Sequence, residues 1–391
     1  MIKYIISLVF LMLGIAQAQT PLSELLQNIE QNNQTLKTLR LQMDTDIIGN
    51  KVGLNPSNPE VQYIHQWGQN SDVGTKQELQ ITQAFDFPTA YIYRNKMSKT
   101  LNDKLERDYM AAFNVVMLEA LQLSYQIIYQ NALQAEYQTR FEHAESISLA
   151  YHEMLELGDI NILERNKADL NLLNARNELR GLKAEKTALL ERLQAYNGGH
   201  ALSIDIMLVT MAELPANFET WFNDNVEKMP HMMSLEEQLQ ANKYKEQLNR
   251  ALSLPKLSGG YSSEKGKVEQ FKGVNVGLSI PLWENKNTVK QVQLNSLAME
   301  NNIADTRLKS YHSLKALYNK ASELKLMVDD YRSSIETLSN IDLLKMALSS
   351  GEITIIEYMV EMAIYYQAIE SYIQLQMDYQ TTAARLHYFD I

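Results

Sequence analysis

The spacing of apolar positions along the chain predicts long helices that alternate with pairs of short strands. Helical runs carry apolar residues three and four apart, whereas strands alternate apolar and polar residues. Prolines and single glycines separate the runs, because proline ends a helix and glycine adopts the conformation that follows one. The predicted helices cover about 22–52, 88–157, 159–196, 216–225, 231–252, 286–349 and 353–389, and the predicted strands cover 60–67, 76–87, 203–210, 256–264 and 271–283.

The same order of elements occurs twice, about 195 residues apart. In each copy a long helical run ends at one glycine, Gly158 or Gly351, and an acidic residue follows six positions later, Glu164 or Glu357. A repeat of this length indicates two copies of one supersecondary unit. We therefore predict a first repeat over 19–199, an unpaired segment over 200–228 and a second repeat over 229–391.

Both long helical runs contain a heptad seam, which predicts left-handed coiled-coil packing. The runs before the glycines span about 65–70 residues, or about 100 Å, and those after them only about 37 residues. We infer that each shorter helix stacks end to end with the helix that precedes a strand pair, beside the long one. The first seam consists of Leu118, Leu121, Tyr125, Ile128, Ala132 and Ala135, and the second of Leu317, Ala321, Leu324, Val328, Tyr331, Ile335 and Leu338.

The strands have one apolar side, which predicts contact with lipid. Alternation of apolar and small polar residues over about ten positions is typical of membrane-spanning barrel strands. A soluble sheet with one buried face would show the same alternation. An open sheet edge in lipid would leave backbone groups without hydrogen bonds, so several chains would have to pool their strands, and three chains would supply twelve. The predicted lipid-facing residues of the last strand are Val274, Val276, Leu278, Ile280 and Leu282.

The N-terminus predicts export of the chain. Lys3 precedes an apolar run, and Ala16-Gln17-Ala18 forms a cleavage signature, so residues 1–18 are predicted to be a signal peptide. A membrane anchor is the alternative, but the run is shorter than the roughly 20 residues that a spanning helix needs. No comparable apolar stretch follows, and we expect no transmembrane helix in the remaining chain.

The composition narrows the function classes. A chain with no cysteine has no disulfides and no thiolate metal sites, and a net charge of −11 argues against nucleic-acid binding. No glycine-rich phosphate loop and no nucleophile motif is present, so we expect no enzyme activity and no cofactor. The cluster Met229, His231, Met232 and Met233 offers ligands that suit copper(I). Methionine also packs well at the start of a helix, and this second interpretation, without a metal, is the one we favour.

Taken together, these features resemble the TolC-type outer membrane factors, the exit ducts of tripartite efflux pumps and type I secretion systems. The resemblance covers the chain after the signal peptide, and rests on the duplicated order of elements, the glycine tips and the sequence Val-Gly-Leu-Ser-Ile-Pro-Leu-Trp at 276–283. It implies a homotrimer in which a 12-stranded β-barrel in the outer membrane continues into a 12-helix tunnel in the periplasm. It also implies contact with outer-membrane lipid, a periplasmic adaptor protein and an inner-membrane transporter. A soluble periplasmic coiled-coil adaptor is the alternative, although two hairpins and four amphipathic strands favour the duct.

The resemblance places the periplasmic end of the duct at the two glycine tips. Adaptor docking is then expected around Gly158, Ile160, Gly351 and Ile353, and Glu164, Glu357 and Glu361 are candidates for carboxylate rings that favour cations. The alternative is that these acids lie on a solvated face or complement a helix N-terminus. The family's polar gate lock is not carried over, because its positions are occupied here by Leu348, Ile353 and Val360.

Overall fold

The computed structural model describes residues 20–69, 74–338 and 341–390, so the predicted signal peptide lies outside the described residues. The chain is mainly helical and has one four-stranded antiparallel sheet, as the sequence predicts. The helices are α1 (Thr20–Asn32), α2 (Gln34–Gly49), α3 (Pro88–Leu157), α4 (Ile162–Tyr196), α5 (Phe218–Asn225), α6 (Pro230–Leu252), α7 (Thr288–Leu338), α8 (Ile341–Ser349) and α9 (Ile355–Leu386), with short 3-10 turns at Val226–Lys228 and Tyr388–Asp390. The strands are β1 (Glu60–Trp67), β2 (Thr75–Phe85), β3 (Lys256–Lys265) and β4 (Gln270–Ser279).

Contacts divide the chain into two compact units, each assembled from separate stretches. Of the described residues, the helical unit contains those within 20–38, Phe113–Trp221 and 311–390. The sheet unit contains Leu39–Ala112 and Phe222–Ser310. Each unit therefore holds parts of both predicted repeats, and the repeat boundaries themselves stay a prediction.

The predicted helix over 22–52 is two helices, α1 and α2, and the prediction of a single one was wrong. Asn33 separates them: its Oδ1 accepts the backbone N–H of Leu36 at 2.9 Å, which caps α2. Its Nδ2 donates to the carbonyl of Tyr196, the last residue of α4, at 2.8 Å. An asparagine cap leaves the apolar spacing intact, so the pattern did not reveal the break. This hydrogen bond joins the start of α2 to the end of α4, and the end-to-end stacking of the helices stays a prediction.

The predicted strand over 203–210 is a segment without regular secondary structure. Helix side chains bind its backbone instead: Asn131 donates to the carbonyls of Ile204 at 2.7 Å and Ile206 at 2.8 Å. Gln380 donates to the carbonyl of Thr210 at 2.8 Å. The prediction of a strand was therefore wrong, and the segment's backbone binds amide side chains on α3 and α9.

The core of the helical unit follows the second predicted seam closely and the first only in part. Ala321, Leu324 and Val328 on α7 are buried, and Tyr379 and Ala383 of α9 pack against the first two. On α3 the buried stripe includes only part of the predicted seam. Leu121 and Ile128 are buried as predicted, Ala135 is exposed, and the stripe is completed by Met117, Ala120, Ser124 and Ile127.

One described helix, α3, is long and apolar enough to cross a membrane by length and composition alone, which the sequence prediction did not anticipate. Its apolar part includes Met117, Leu123 and Ile127, all of which are buried inside the protein. Burial in a protein core accounts for these residues equally well.

The methionine cluster at the start of α6 is partly buried. Met229 and Met232 are both buried, as the packing interpretation expects.

The sheet has the order β1–β2–β3–β4, so the hairpins of the two repeats lie side by side. Its last strand ends earlier than the predicted 271–283, because Pro281 lacks the N–H that a further pair in the ladder would need. Ile280 and Leu282 therefore lie beyond β4, and their assignment to this strand was wrong. The second strand likewise ends at Phe85 rather than at residue 87, where the helix start at Pro88 takes over.

Candidate functional site

The sheet carries a largely apolar face that is open to the surroundings. Directly paired residues of neighbouring strands share a face, and the register pairs Tyr63 with Leu79, Ile81 with Tyr261, and Tyr261 with Val274. We call this surface the apolar face. It comprises Val61, Tyr63, Leu79, Ile81, Phe85, Leu257, Tyr261, Val274, Val276 and Leu278, and all of these side chains are exposed. An apolar surface of this extent marks an interaction site.

The opposite face of the sheet, which we call the polar face, is lined mostly by small and polar side chains. Two glycines on it leave room for neighbouring side chains to cross the sheet. A Cβ at Gly260 would collide with Oδ1 of Asn275 and with the carbonyl oxygen of Ile81, and one at Gly277 would collide with Oγ of Ser258. The sheet thus has one exposed apolar face and one face of small and polar residues.

The predicted lipid-facing residues fall on the apolar face as far as β4 extends. Val274, Val276 and Leu278 are exposed, Val276 by 86% of its surface. Ile280 and Leu282, although exposed, lie past the end of the strand. Contact with lipid stays a prediction for all five.

The first hairpin tip is built by a glycine and an asparagine. Gly158 ends α3 with φ +82°, and the N–H groups of Gly158 and Asp159 bind the carbonyls of Leu155 at 3.1 Å and Met154 at 2.9 Å. This is the Schellman arrangement that closes a helix C-terminus. Asn161 then starts α4, because its side chain accepts the N–H groups of the second and third helical residues at 2.9 and 3.1 Å.

The second tip repeats the closure and starts its helix differently. Gly351 has φ +76°, and Gly351 and Glu352 donate to Leu348 at 3.1 Å and Ala347 at 2.9 Å. Thr354 and Glu357 form a reciprocal capping box, in which the Glu357 carboxylate accepts the Thr354 N–H at 2.8 Å. These hydrogen bonds with Thr354 lower the pKa of Glu357 below its ordinary value.

The tip residues predicted as functional differ in their surroundings. Glu357 serves as a helix cap, which favours the alternative interpretation of this carboxylate, whereas Glu361 is exposed and Glu164 half-buried. Ile160 and Ile353 are half-buried beside their glycines. Two of the positions that the resemblance assigns to a gate lock differ in burial. Leu348 is half-buried in a groove with His143, Tyr151 and Met154, whereas Val360 is 55% exposed.

A charged contact between the two hairpins was missed by the sequence reasoning. Arg140 of α3, whose side chain is 9% exposed, bonds to the carboxylate of Glu370 on α9 and, at 3.1 Å, to the carbonyl of Tyr366. Its guanidinium lies between the rings of Tyr137 and Tyr366, 4.1 and 4.2 Å from their centroids. Tyr137 also donates to Glu370 at 2.8 Å. We call these four residues the hairpin clamp. The signal available in the sequence was Glu370, a carboxylate in a largely apolar helical run.

The clamp changes the ionisation of its members. Burial disfavours the charge of Arg140, but the hydrogen bond and charge of Glu370 outweigh it and raise the pKa of Arg140. Burial and the hydrogen bond to Glu370 raise the pKa of Tyr137 to about 12. Both groups therefore keep fixed protonation states at neutral pH. His143, on the next turn of α3, has its pKa lowered by burial and by Lys345.

Solved outer membrane channels have the same fold as this chain. CusC, described in terms of folding and transmembrane channel formation, matches with a TM-score of 0.78 at 13% identity, over 94% of this chain and 91% of its own. CmeC of Campylobacter jejuni gives 0.74 at 16% identity, over 94% and 85%. VceC of Vibrio cholerae gives 0.76 at 10% identity, over 95% and 97%. Neither a protein-family model nor a curated protein sequence matches the chain.

These likenesses confirm the predicted resemblance at the level of the fold. The chain has the fold of outer membrane channel proteins over nearly its whole length. At such low identities the likeness establishes the fold alone.

Proposed function

We propose that this chain is the outer membrane exit duct of a tripartite efflux pump or a type I secretion system, anchored in the outer membrane and extending into the periplasm. The observation that carries the proposal is the contrast between the two faces of the sheet: the apolar face is exposed, and the polar face is lined mostly by small and polar side chains. A barrel with an apolar outer band and a polar lumen requires this arrangement. Transport would be passive, with energy supplied by an inner-membrane transporter.

The duct would be a homotrimer. Within the described residues, β1 and β4 each have one strand neighbour, so the sheet has two different open edges. Pairing β4 of one copy with β1 of the next gives a head-to-tail contact that closes into a ring. Three copies contribute twelve strands, and the closed ring satisfies the backbone groups that an open edge would leave bare in lipid.

The two hairpin tips would dock a periplasmic adaptor protein around Gly158, Ile160, Gly351 and Ile353. Both tips combine a glycine closure with a capped helix start, which makes them compact and similar in form. Glu164 and Glu361 remain the better candidates for carboxylate rings, because Glu357 already caps α9. Replacing Glu361 by Gln should then weaken the cation selectivity of the open channel, whereas unchanged selectivity would remove this ring from the proposal.

Reconstitution of the purified full-length chain into planar bilayers tests the duct directly. We expect discrete conductance steps and recovery of the protein in the outer membrane fraction of cells. The alternative, a soluble periplasmic adaptor or scaffold, predicts recovery in the soluble periplasm and no conductance. That outcome would defeat the proposal.

A further inference from the structure

The four lysines of the strands differ in their partners according to the face on which they lie. Lys76 and Lys256 belong to the polar face, and each pairs with a carboxylate, Glu264 or Glu284, at 2.9 Å. Lys265 is in phase with Tyr261 on β3, and Lys272 is in phase with Val274 on β4, so both belong to the apolar face. Both are exposed, and neither forms an ion pair with any residue that the structure describes.

The acidic residues of the strands are all on the polar face. The register places Glu60 opposite Thr82, and Glu78 opposite Glu264, on the side of the sheet that carries Gly260. Within the described strands, the apolar face therefore carries two positive charges and no negative one. Two positive charges beside an apolar surface fit a partner that has an anionic group next to an apolar region.

The two lysines lie at the turn end of the sheet, close to each other. Lys265 is the last residue of β3, and the register pairs it with Gln270 and pairs Ser263 with Lys272. Lys265 and Lys272 are therefore diagonal neighbours on one face, a relation that places residues about 7–8 Å apart. At the same end of β1, the rings of His65 and Trp67 meet with centroids 4.8 Å apart. Aromatic rings beside an apolar band are typical of a membrane–water interface.

We propose that Lys265 and Lys272 bind the anionic, phosphate-bearing headgroups of the membrane lipids that surround the turn end of the sheet. The inference rests on the proposed function, since it requires the apolar face to lie in a bilayer. Each lysine can lay its methylene stem along the acyl chains and hold its ammonium group at headgroup level. Lys76 and Lys256 cannot do so, because they lie on the other side of the sheet.

Flotation of the purified full-length chain with lipid vesicles tests this assignment. The vesicles contain phosphatidylcholine either alone or mixed with phosphatidylglycerol, at low ionic strength. We expect the double variant Lys265→Gln/Lys272→Gln to lose up to about 25-fold of its partition into the anionic vesicles, because one basic residue near an anionic surface contributes about five-fold. The double variant Lys76→Gln/Lys256→Gln removes the same charge from the polar face of the same sheet, and should keep the wild-type partition.

The outcomes separate the inference from the function on which it rests. Wild-type protein that partitions into neither kind of vesicle contradicts the proposed function. Partition that is unaffected by phosphatidylglycerol, or lost equally in both double variants, overturns the headgroup assignment while leaving the duct intact. Inorganic phosphate should displace the protein from anionic vesicles no more than sodium chloride of equal ionic strength does. A larger effect would show binding of free phosphate and would also overturn the assignment.

Discussion

At the scale of single residues, Arg140 joins the two helical hairpins through one buried guanidinium. Its removal would leave the carboxylates of Glu370 and Glu136, 28% and 18% exposed, without their cation. We expect Arg140→Met to lower the free energy of unfolding by about 3 kcal/mol, as losing one partner of a buried ion pair does. Urea denaturation followed by circular dichroism measures the difference.

A matched arginine on the second hairpin provides the control. Arg332 pairs with Asp329 at 2.6 Å, and these two side chains are 53% and 43% exposed. An exposed ion pair contributes at most about 1 kcal/mol. The variant Arg332→Met should therefore change the midpoint of urea denaturation only slightly. Equal losses in the two variants would show that the hairpin clamp has no special weight.

His143 makes the helical unit sensitive to mild acid. Its ring faces the Tyr366 hydroxyl at 3.4 Å, and Lys345, Glu136 and Glu142 are the charges that act on it. Because the pKa of His143 in the fold lies below its ordinary 6.5, the unfolded chain binds more protons. The contribution of His143 to the free energy of unfolding is therefore fully present above about pH 6.5 and is lost as the pH falls through the lowered pKa.

The variant His143→Gln should flatten this decline, which thermal unfolding between pH 7.5 and pH 5 would show. His231, whose pKa is also lowered by burial, contributes equally to wild type and variant and does not affect the difference. Parallel pH profiles for the two proteins would contradict the assignment to His143.

Among the elements, the hairpin tips depend on one backbone conformation. Gly351 has φ +76°, in the left-handed region, where a side chain costs roughly 1–2 kcal/mol. Gly351→Ala should therefore destabilise the end of α8 and speed hydrogen exchange around the tip. Gly181→Ala is the matched control: Gly181 lies inside α4 with open space around it, so the same change should stabilise that helix by about 0.5–1 kcal/mol. Destabilisation of the same size by both variants would be inconsistent with this account.

Two adjacent glycines of β3 differ in the space around them, so replacing each by alanine distinguishes steric crowding from an effect on backbone conformation. A Cβ at Gly260 would meet Asn275 and the Ile81 carbonyl, whereas one at Gly259 has nothing within 4 Å. We expect Gly260→Ala to push β2 and β3 apart and lower the yield of folded protein, while Gly259→Ala adds a methyl group to the apolar face and is tolerated. Refolding yield into detergent, compared between these variants, checks the expectation. Similar yields would mean that the sheet relaxes around the added methyl group.

The sequence predicted the elements and the fold more successfully than the contacts of individual polar side chains. Apolar periodicity located α3, α4, α6 and all four strands of the sheet, because burial and the faces of the sheet determine that pattern. It did not show the break at Asn33 or the unpaired state of the 203–210 segment, since in both places a side-chain amide binds the backbone. The hairpin clamp was missed for a related reason, as it joins residues 230 positions apart.

For the whole molecule, the two different edges of the sheet predict how copies meet. The chain has no cysteine, so engineered cysteine pairs form the only disulfides. Scanning pairs with one cysteine on β1 and one on β4 should yield covalent ladders that stop at three copies. Pairs on β1 alone should not cross-link, because the head-to-tail contact never brings two copies of β1 together. Cross-linking of β1 to β1, or closure of β1 onto β4 within one chain, would contradict the ring.

The exposed apolar face also makes each newly made copy prone to aggregation until it assembles. In the proposed trimer, a chain that has not yet met two others presents this bare surface together with two open strand edges, the combination that promotes aggregation. Closure of the proposed ring requires three copies to meet, so its rate falls steeply as the chain becomes scarce. We therefore expect assembly of the proposed trimer to be the step that is most sensitive to low expression.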